Sequence, residues 1–268
     1  MNLTRLEARK VIRFNNLLWR CSFYDELLTL PCYEMCFVLN TDAKFMNCAM
    51  NFDLDSKEEL LNEIPNIEGY FKKRRKPSSI YLSGFDAPEK IENEISTLGY
   101  KEIKDEEAIF WGLEYGSLKN RDLNVEGLDI KECRTEDEFA EYLIAASLGY
   151  SDFDYTPYAS SLSKLFKTHI DGVTQLHFAG YVDDKPVASG SMGICFDTAI
   201  WINAAVVPEY RRKGINTRMM LHAITEANKL GADKFYFCTD VDNYGSIGSG
   251  KKLGFEEVIR QKMFSKEG

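Results

Sequence analysis

The chain has 268 residues, room for about two average domains, with 33 Lys plus Arg against 42 Asp plus Glu and a formal net charge of −9. That balance disfavours phosphate backbones and anionic lipid surfaces, so neither nucleic acid nor membrane is an expected partner. A composition of 44% hydrophobic and 13% aromatic residues supports real cores and excludes disorder as the main state.

No apolar run approaches the ~20 residues that span a bilayer, and the opening residues lack a signal-peptide core, so the expected location is the cytoplasm. The first thirty residues read as helix, with Leu3, Leu6, Val11, Ile12, Leu17 and Leu18 at mixed helical spacing. Strands are expected at 32–39 and 45–52. Asp55 and Ser56 can cap a helix through Phe71, ending in the basic run 72–76 before Pro77. That run reads as a solvated helix end complementing the macrodipole. A strand at 79–82, a helix at 86–97 and a strand at 108–113 follow. Residues 114–127 match neither period and read as a linker around 116–127.

The second half starts afresh with a strand at 128–133. Thr135 and Glu138 form a capping box for a helix through Leu148, and another helix is expected at 158–170. Strands at 176–182 and 187–196 flank Asp183-Asp184-Lys185-Pro186 as a hairpin. A strand at 199–207, a helix at 216–230, a strand at 235–238, a segment at 243–252 and a strand at 257–264 complete the chain.

This order repeats. Ile80-Tyr81-Leu82 and Phe235-Tyr236-Phe237 stand 155 positions apart, as do the segments opening at Leu98-Gly99-Tyr100 and Leu253-Gly254-Phe255. Pro31 meets Pro186 and residues 45–50 meet 200–205 at the same offset. Agreement in register and in element order favours two copies of one fold, the first truncated.

Seven cysteines (Cys21, Cys32, Cys36, Cys48, Cys133, Cys195, Cys238) are scattered without CxxC, and only His169, His177 and His222 could join them. Reduced thiols and no metal are expected.

Chemistry concentrates where the 199–207 strand runs through Val207-Pro208-Glu209-Tyr210-Arg211-Arg212-Lys213-Gly214-Ile215-Asn216-Thr217 into a helix. Gly214 permits a positive φ, successive amides at a helix start form an anion site, and three cations add attraction for a diphosphate. This loop, with Asn243-x-x-Ser246 and Lys252-Leu253-Gly254-Phe255 after the next strand, resembles the acetyl-CoA-binding core of the GNAT superfamily of N-acetyltransferases over about residues 128–263. Arg211-x-x-Gly214-x-Asn216 follows that family's Q/R-x-x-G-x-G/A loop except at its last position. The resemblance implies an α/β (α+β) fold of two GNAT-like mixed-sheet domains. Residues 1–115 would be a degenerate copy, 116–127 a linker and 128–268 the acetyl-CoA domain. It implies that amides of Arg212, Lys213, Gly214, Ile215, Asn216 and Thr217 hold the pyrophosphate, with Arg211 part of the loop. The strand edge at Ala204, Ala205, Val206 and Val207 would pair with the pantetheine arm, and Asn243 and Ser246 would face the cofactor.

The family's acid is often a Tyr where this chain has Gly250, leaving Ser246 and Tyr244 as candidate proton donors. A lysine-like acceptor is neutral in only about one molecule in 2,500 at pH 7, so a base or a water path helps. Glu209, Asp240 and Asp242 are the nearby carboxylates, each read more simply as solvated or capping, and Trp201 and Asn203 could shape the acceptor side. In the first copy Ser56, Glu59 and Leu61 stand where Arg211, Gly214 and Asn216 stand in the second, and Glu59 would repel a diphosphate. The expected activity is acetyl transfer from acetyl-CoA to the primary amine of a small molecule or peptide. Transfer of another acyl or aminoacyl group, and acetyl-CoA sensing without turnover, are the alternatives.

Overall fold

The computed structural model describes residues 1–86, 91–150 and 162–266. The chain folds into two compact units. The first comprises Asn2–Ile109, Asp240–Asp242 and Val258–Gly268; the second comprises Phe110–Thr239 and Asn243–Glu257, with Met1.

In the first unit, α1 (Arg5–Ser22) begins at a capping box: the Glu7 amide donates to the Thr4 hydroxyl and the Thr4 amide to the Glu7 carboxylate. The helix stops at Ser22 with Phe23 as its C-cap, and Leu27 and Leu28 belong to β1 (Glu26–Thr29), which pairs antiparallel with β2 (Glu34–Phe37). Helix was expected through residue 30, so β1 is a correction: four residues whose only support is a neighbouring strand carry no period of their own. The expected strand at 45–52 shortens to β3 (Cys48–Met50) after a 3-10 turn at Lys44–Met46. Asn47 imposes that turn. Its amide nitrogen donates to the carbonyls of Thr41 and Ala43, and its amide oxygen accepts from Val38 N–H.

Then come α2 (Lys57–Arg74), β4 (Ser78–Ser83), α3 (Glu92–Thr97) and β5 (Lys101–Glu114). Part of the helix expected at 86–97 lies outside the described residues. The core joins Phe37, Phe52, Leu60, Phe71 and Ile80 to Phe264 of β11 (Glu256–Lys266). That strand runs antiparallel to β4 from Gln261↔Ser83 to Lys266↔Ser78. The Sγ atoms of Cys36 and Cys48 lie 3.5 Å apart as free thiols.

The second unit holds β6 (Asp129–Glu132), α4 (Glu136–Gly149), β7 (Thr174–Val182), β8 (Lys185–Cys195), β9 (Thr198–Val206), α5 (Ile215–Lys229), β10 (Lys234–Asp240) and α6 (Tyr244–Leu253). Its strand order is β5-β10-β9-β8-β7-β6. Asp183 and Asp184 both adopt positive φ, 50° and 59°, the geometry of a tight hairpin turn matching strand twist. The capping box at Thr135 and Glu138 forms as its spacing implies. The helix expected at 158–170 begins outside the described residues.

The order strand, strand, strand, helix, strand, helix, strand occurs twice, as β1–β5 with α2 and α3 and as β7–β11 with α5 and α6. The closing strands, however, are exchanged: β10 has β5 as its neighbour, and β4 has β11. Each compact unit accordingly combines segments from both halves of the sequence, Val258–Gly268 grouping with Asn2–Ile109.

Candidate active site

The site is built where β9 leaves β10. The two strands pair in parallel from Lys234↔Thr198 to Phe237↔Trp201, and both continue beyond that register. On its other side β9 stays paired with β8, but the register slips. Ser191 faces Ile202 and Ser189 faces Ala205, so two steps on β8 span three on β9. The extra residue makes a bulge, and Asn203, with φ 54°, turns the backbone there. Gly190 lies opposite the bulge. A Cβ on it would come within 2.1 Å of Cη2 of Trp201, so the indole occupies that space, and Trp201 is core with 3% exposure. The bulge leaves the β9 edge from residue 202 onward open on the side that β10 has left.

Beyond β9 the chain makes a 3-10 turn at Pro208–Tyr210 and then enters α5 through two left-handed residues, Arg212 (φ 63°) and Gly214 (φ 84°). Gly214 is the N-cap and gives no side-chain cap, whereas Thr4, Ser56, Thr135 and Asn243 all cap their helices. The first intrahelical bond runs from Arg218 N–H to the Gly214 carbonyl. The amides of Ile215, Asn216 and Thr217 thus have no acceptor within the helix, the arrangement that attracts an anion.

Two side chains of this loop do work the sequence does not reveal. Arg211 does not point free. Its Nε donates to the Val206 carbonyl (3.0 Å) and an Nη to the Gly149 carbonyl (2.7 Å), tying the end of β9 to the end of α4. Asn216, where the family pattern has Gly or Ala, donates from Nδ2 to Ser249 Oγ (3.2 Å), and Ser249 donates onward to the Gly245 carbonyl (2.9 Å). The departure from the pattern couples the first turn of α5 to α6. Ala205, Val207, Ile215 and Thr217 are buried, Val206 half-buried, and Arg212 and Lys213 exposed.

Asn243 Oδ1 accepts the Ser246 amide (3.2 Å), so its side chain caps α6. Ser246 is half-buried and one turn before Gly250 on the same helix face, whereas Tyr244 is 79% exposed. Gly250 has no room for a side chain: a Cβ there would lie 2.5 Å from Cε1 of Phe237. Phe237, stacked 6.2 Å from Trp111 and edge-on to Phe255, fills that space. Glu209 is exposed. Asp240 and Asp242 group with the other unit, where burial and then Asp242 push the Asp240 carboxyl up. Among the described residues, no group of three His, Cys, Asp or Glu side chains is placed to hold a metal ion.

Sequence reading missed the supports of the bulge: Tyr142 on α4, Gly149 and Tyr150 at its end, and the pair Ser191 and His177. A glycine inside a strand pattern, Ser189-Gly190-Ser191, is the one local signal that marks such a place.

A model of the acetyltransferase (GNAT) family matches residues 140–255, the span that contains the bulge, the bare helix start and α6. This chain carries a GNAT-family acetyltransferase domain. Among curated proteins it is 27% identical over 93 residues to the [Ribosomal protein bS18]-alanine N-acetyltransferase of Escherichia coli K12, a match covering 35% of this chain and 63% of that protein. A GCN5-related N-acetyltransferase from Kribbella flavida shares the fold, with a TM-score of 0.70 at 15% identity over 100% of this chain and 97% of that one. A tandem GNAT protein from the clavulanic acid biosynthesis pathway also does, with a TM-score of 0.60 at 13% identity over 88% of this chain and 78% of that one.

Proposed function

We propose that the protein transfers an acetyl group from acetyl-CoA to a primary amine of a small molecule or peptide, in the cytoplasm. One observation carries the reading: the uncapped, glycine-led start of α5 stands directly after the strand edge opened by the Asn203 bulge. Amides of residues 212–217 would hold the diphosphate, and the edge at Ala204–Val207 would hold the pantetheine arm by strand-like hydrogen bonds. Asn243 and Ser246 would face the cofactor. Alignment of amine and thioester, with amide donors toward the developing oxyanion, supplies much of the rate in such a site. The relative from Escherichia coli is named for acting on an alanine of a ribosomal protein, which supports an amine acceptor of peptide type here.

Residues 1–115 are proposed to be a degenerate copy that binds no CoA, joined by 116–127 to the acetyl-CoA domain at 128–268. Besides Glu59 in the place of the glycine, the corresponding strand gap is closed from within. The Asp86 carboxylate accepts the amides of Phe52 and Ser83, and Arg5 donates to the carbonyls of Leu54, Phe85 and Asp86.

Thiol release from acetyl-CoA with a panel of amines tests the activity. Ser246 is the proposed donor to the leaving thiolate, with Tyr244 second. Ser246→Ala is expected to lower kcat by about 100-fold, within the range of a lost general acid, and to leave CoA affinity unchanged. Tyr244→Phe, at an exposed position, is expected to cost less. If both variants keep near-full kcat, protonation passes to water. The sterically filled site at Gly250 favours one other reading, binding of acetyl-CoA without turnover, which tight CoA binding with no thiol release from any amine would select.

A further inference from the structure

Tyr142 of α4 (Glu136–Gly149) and Tyr150, the residue that ends it, reach consecutive carbonyls of the bulge. Tyr142 Oη donates to Asn203 O (3.4 Å) and Tyr150 Oη to Ala204 O (3.1 Å). Consecutive carbonyls of a flat strand point opposite ways; the left-handed Asn203 lets both face the same helix. Gly149, between the tyrosines, admits the strand closely: a Cβ there would sit 2.8 Å from Ala205 Cβ and 3.0 Å from Val206 N.

Behind Tyr142 the bonding continues. Its hydroxyl lies 2.9 Å from Ser191 Oγ, and Ser191 Oγ lies 2.9 Å from His177 Nδ1. All three side chains are buried, and the His177 ring is packed against Phe139 and Phe166. The proton count fixes the polarity. A carbonyl only accepts, so the single phenol proton goes to Asn203 O; Tyr142 then accepts from Ser191, whose one proton is thereby used, and Ser191 accepts from His177. His177 must carry its proton on Nδ1, as a neutral ring, which agrees with burial pushing its pKa down to about 4.

We infer that His177, Ser191 and Tyr142 form a positioning relay that holds the Asn203 peptide in its left-handed turn and so sets the β9 edge for the acyl-CoA arm. None of the three touches the reacting atoms. The CoA part of this inference rests on the acetyltransferase reading above; the part concerning the bulge does not.

Two substitutions at one position separate a relay from mere core packing. His177→Asn keeps an N–H donor close to the Nδ1 position and loses volume. His177→Phe keeps the ring volume beside Phe139 and Phe166 and loses the donor. Read on the full chain, calorimetry with CoA and hydrogen exchange at the amides of residues 203–206 should follow the donor, while unfolding temperature should follow the volume. His177→Phe, Ser191→Ala and Tyr142→Phe are expected to weaken CoA binding about tenfold, the scale of a lost buried hydrogen bond, and to speed exchange at 203–206. His177→Asn is expected to melt at a lower temperature yet bind CoA and exchange like the parent. The relay is overturned if affinity and exchange in the two His177 variants track their melting temperatures, or if Tyr142→Phe leaves both unchanged. A parent chain that binds no CoA, but whose 203–206 amides respond in this pattern, defeats the acetyltransferase reading and keeps the relay.

Discussion

Gly214→Glu is expected to raise the dissociation constant for CoA at least 100-fold while the protein stays folded. Three effects add. The N-cap of α5 sits at φ 84°, where a residue with Cβ is strained by roughly 1–2 kcal/mol. A carboxylate would stand where the partial positive charge of the helix start is meant for a diphosphate. Its side chain would also occupy the approach to amides 215–217. Steric tolerance is good on the protein side: a Cβ at 214 meets only Val125 Cγ2, at 3.5 Å. The fold should therefore survive, with a small drop in melting temperature. Calorimetry should return one CoA site per chain for the parent and none for the variant. Two sites in the parent would contradict the proposal that the first copy binds no CoA, and undiminished binding in Gly214→Glu would place the cofactor elsewhere.

Acidification should act on the two units in opposite directions. His177 is neutral in its apolar niche, its pKa pushed down by burial from 6.5 to about 4. Between those values the unfolded chain binds a proton that the folded chain does not. Its contribution, up to about 3 kcal/mol, is present above pH 6.5 and lost as pH falls toward 4. Asp86 is the mirror case. Burial raises its carboxyl from 3.8 to about 7, and the amides of Ser83 and Phe52 offset only part of that. Between these values the folded chain holds the extra proton. Its contribution, up to about 4 kcal/mol, is present below pH 4 and lost as pH rises through 7. Denaturant unfolding at pH 4, 5.5 and 7 should show the parent's advantage over His177→Asn growing with pH and its advantage over Asp86→Asn shrinking. Parallel curves for all three proteins would remove either residue as a titrating determinant.

What the sequence made legible was whatever is local. The capping box at Thr135, the Asp183-Asp184 turn and the glycine-led loop at 211–217 each state their own geometry within a few residues. The bulge is not local. It depends on Trp201 crossing Gly190, on tyrosines in and just after α4 and on a histidine of β7, none of which carries periodic information about residue 203. Likewise the partners of the Arg211 and Asn216 side chains were not legible, because Gly149 and Ser249 lie 62 and 33 positions away in the sequence. The repeat at 98–103 and 253–258 told which strands are equivalent. Equivalence is also why it could not tell which would pair with which, since two strands of matching pattern fit either neighbour.

The exchange of β5 and β11 makes the two halves of the gene inseparable. A polypeptide ending near residue 127 would fold its β4 with no β11 beside it and would carry β5 away from β10; the remainder would have the converse defects. Each fragment would display the unpaired backbone of an open edge, the feature that drives edge-to-edge aggregation. Supplied together, the fragments can each complete the other. Mutual completion of this kind makes the two halves of the sequence one folding unit, each half supplying the strand that the other's sheet needs beside it.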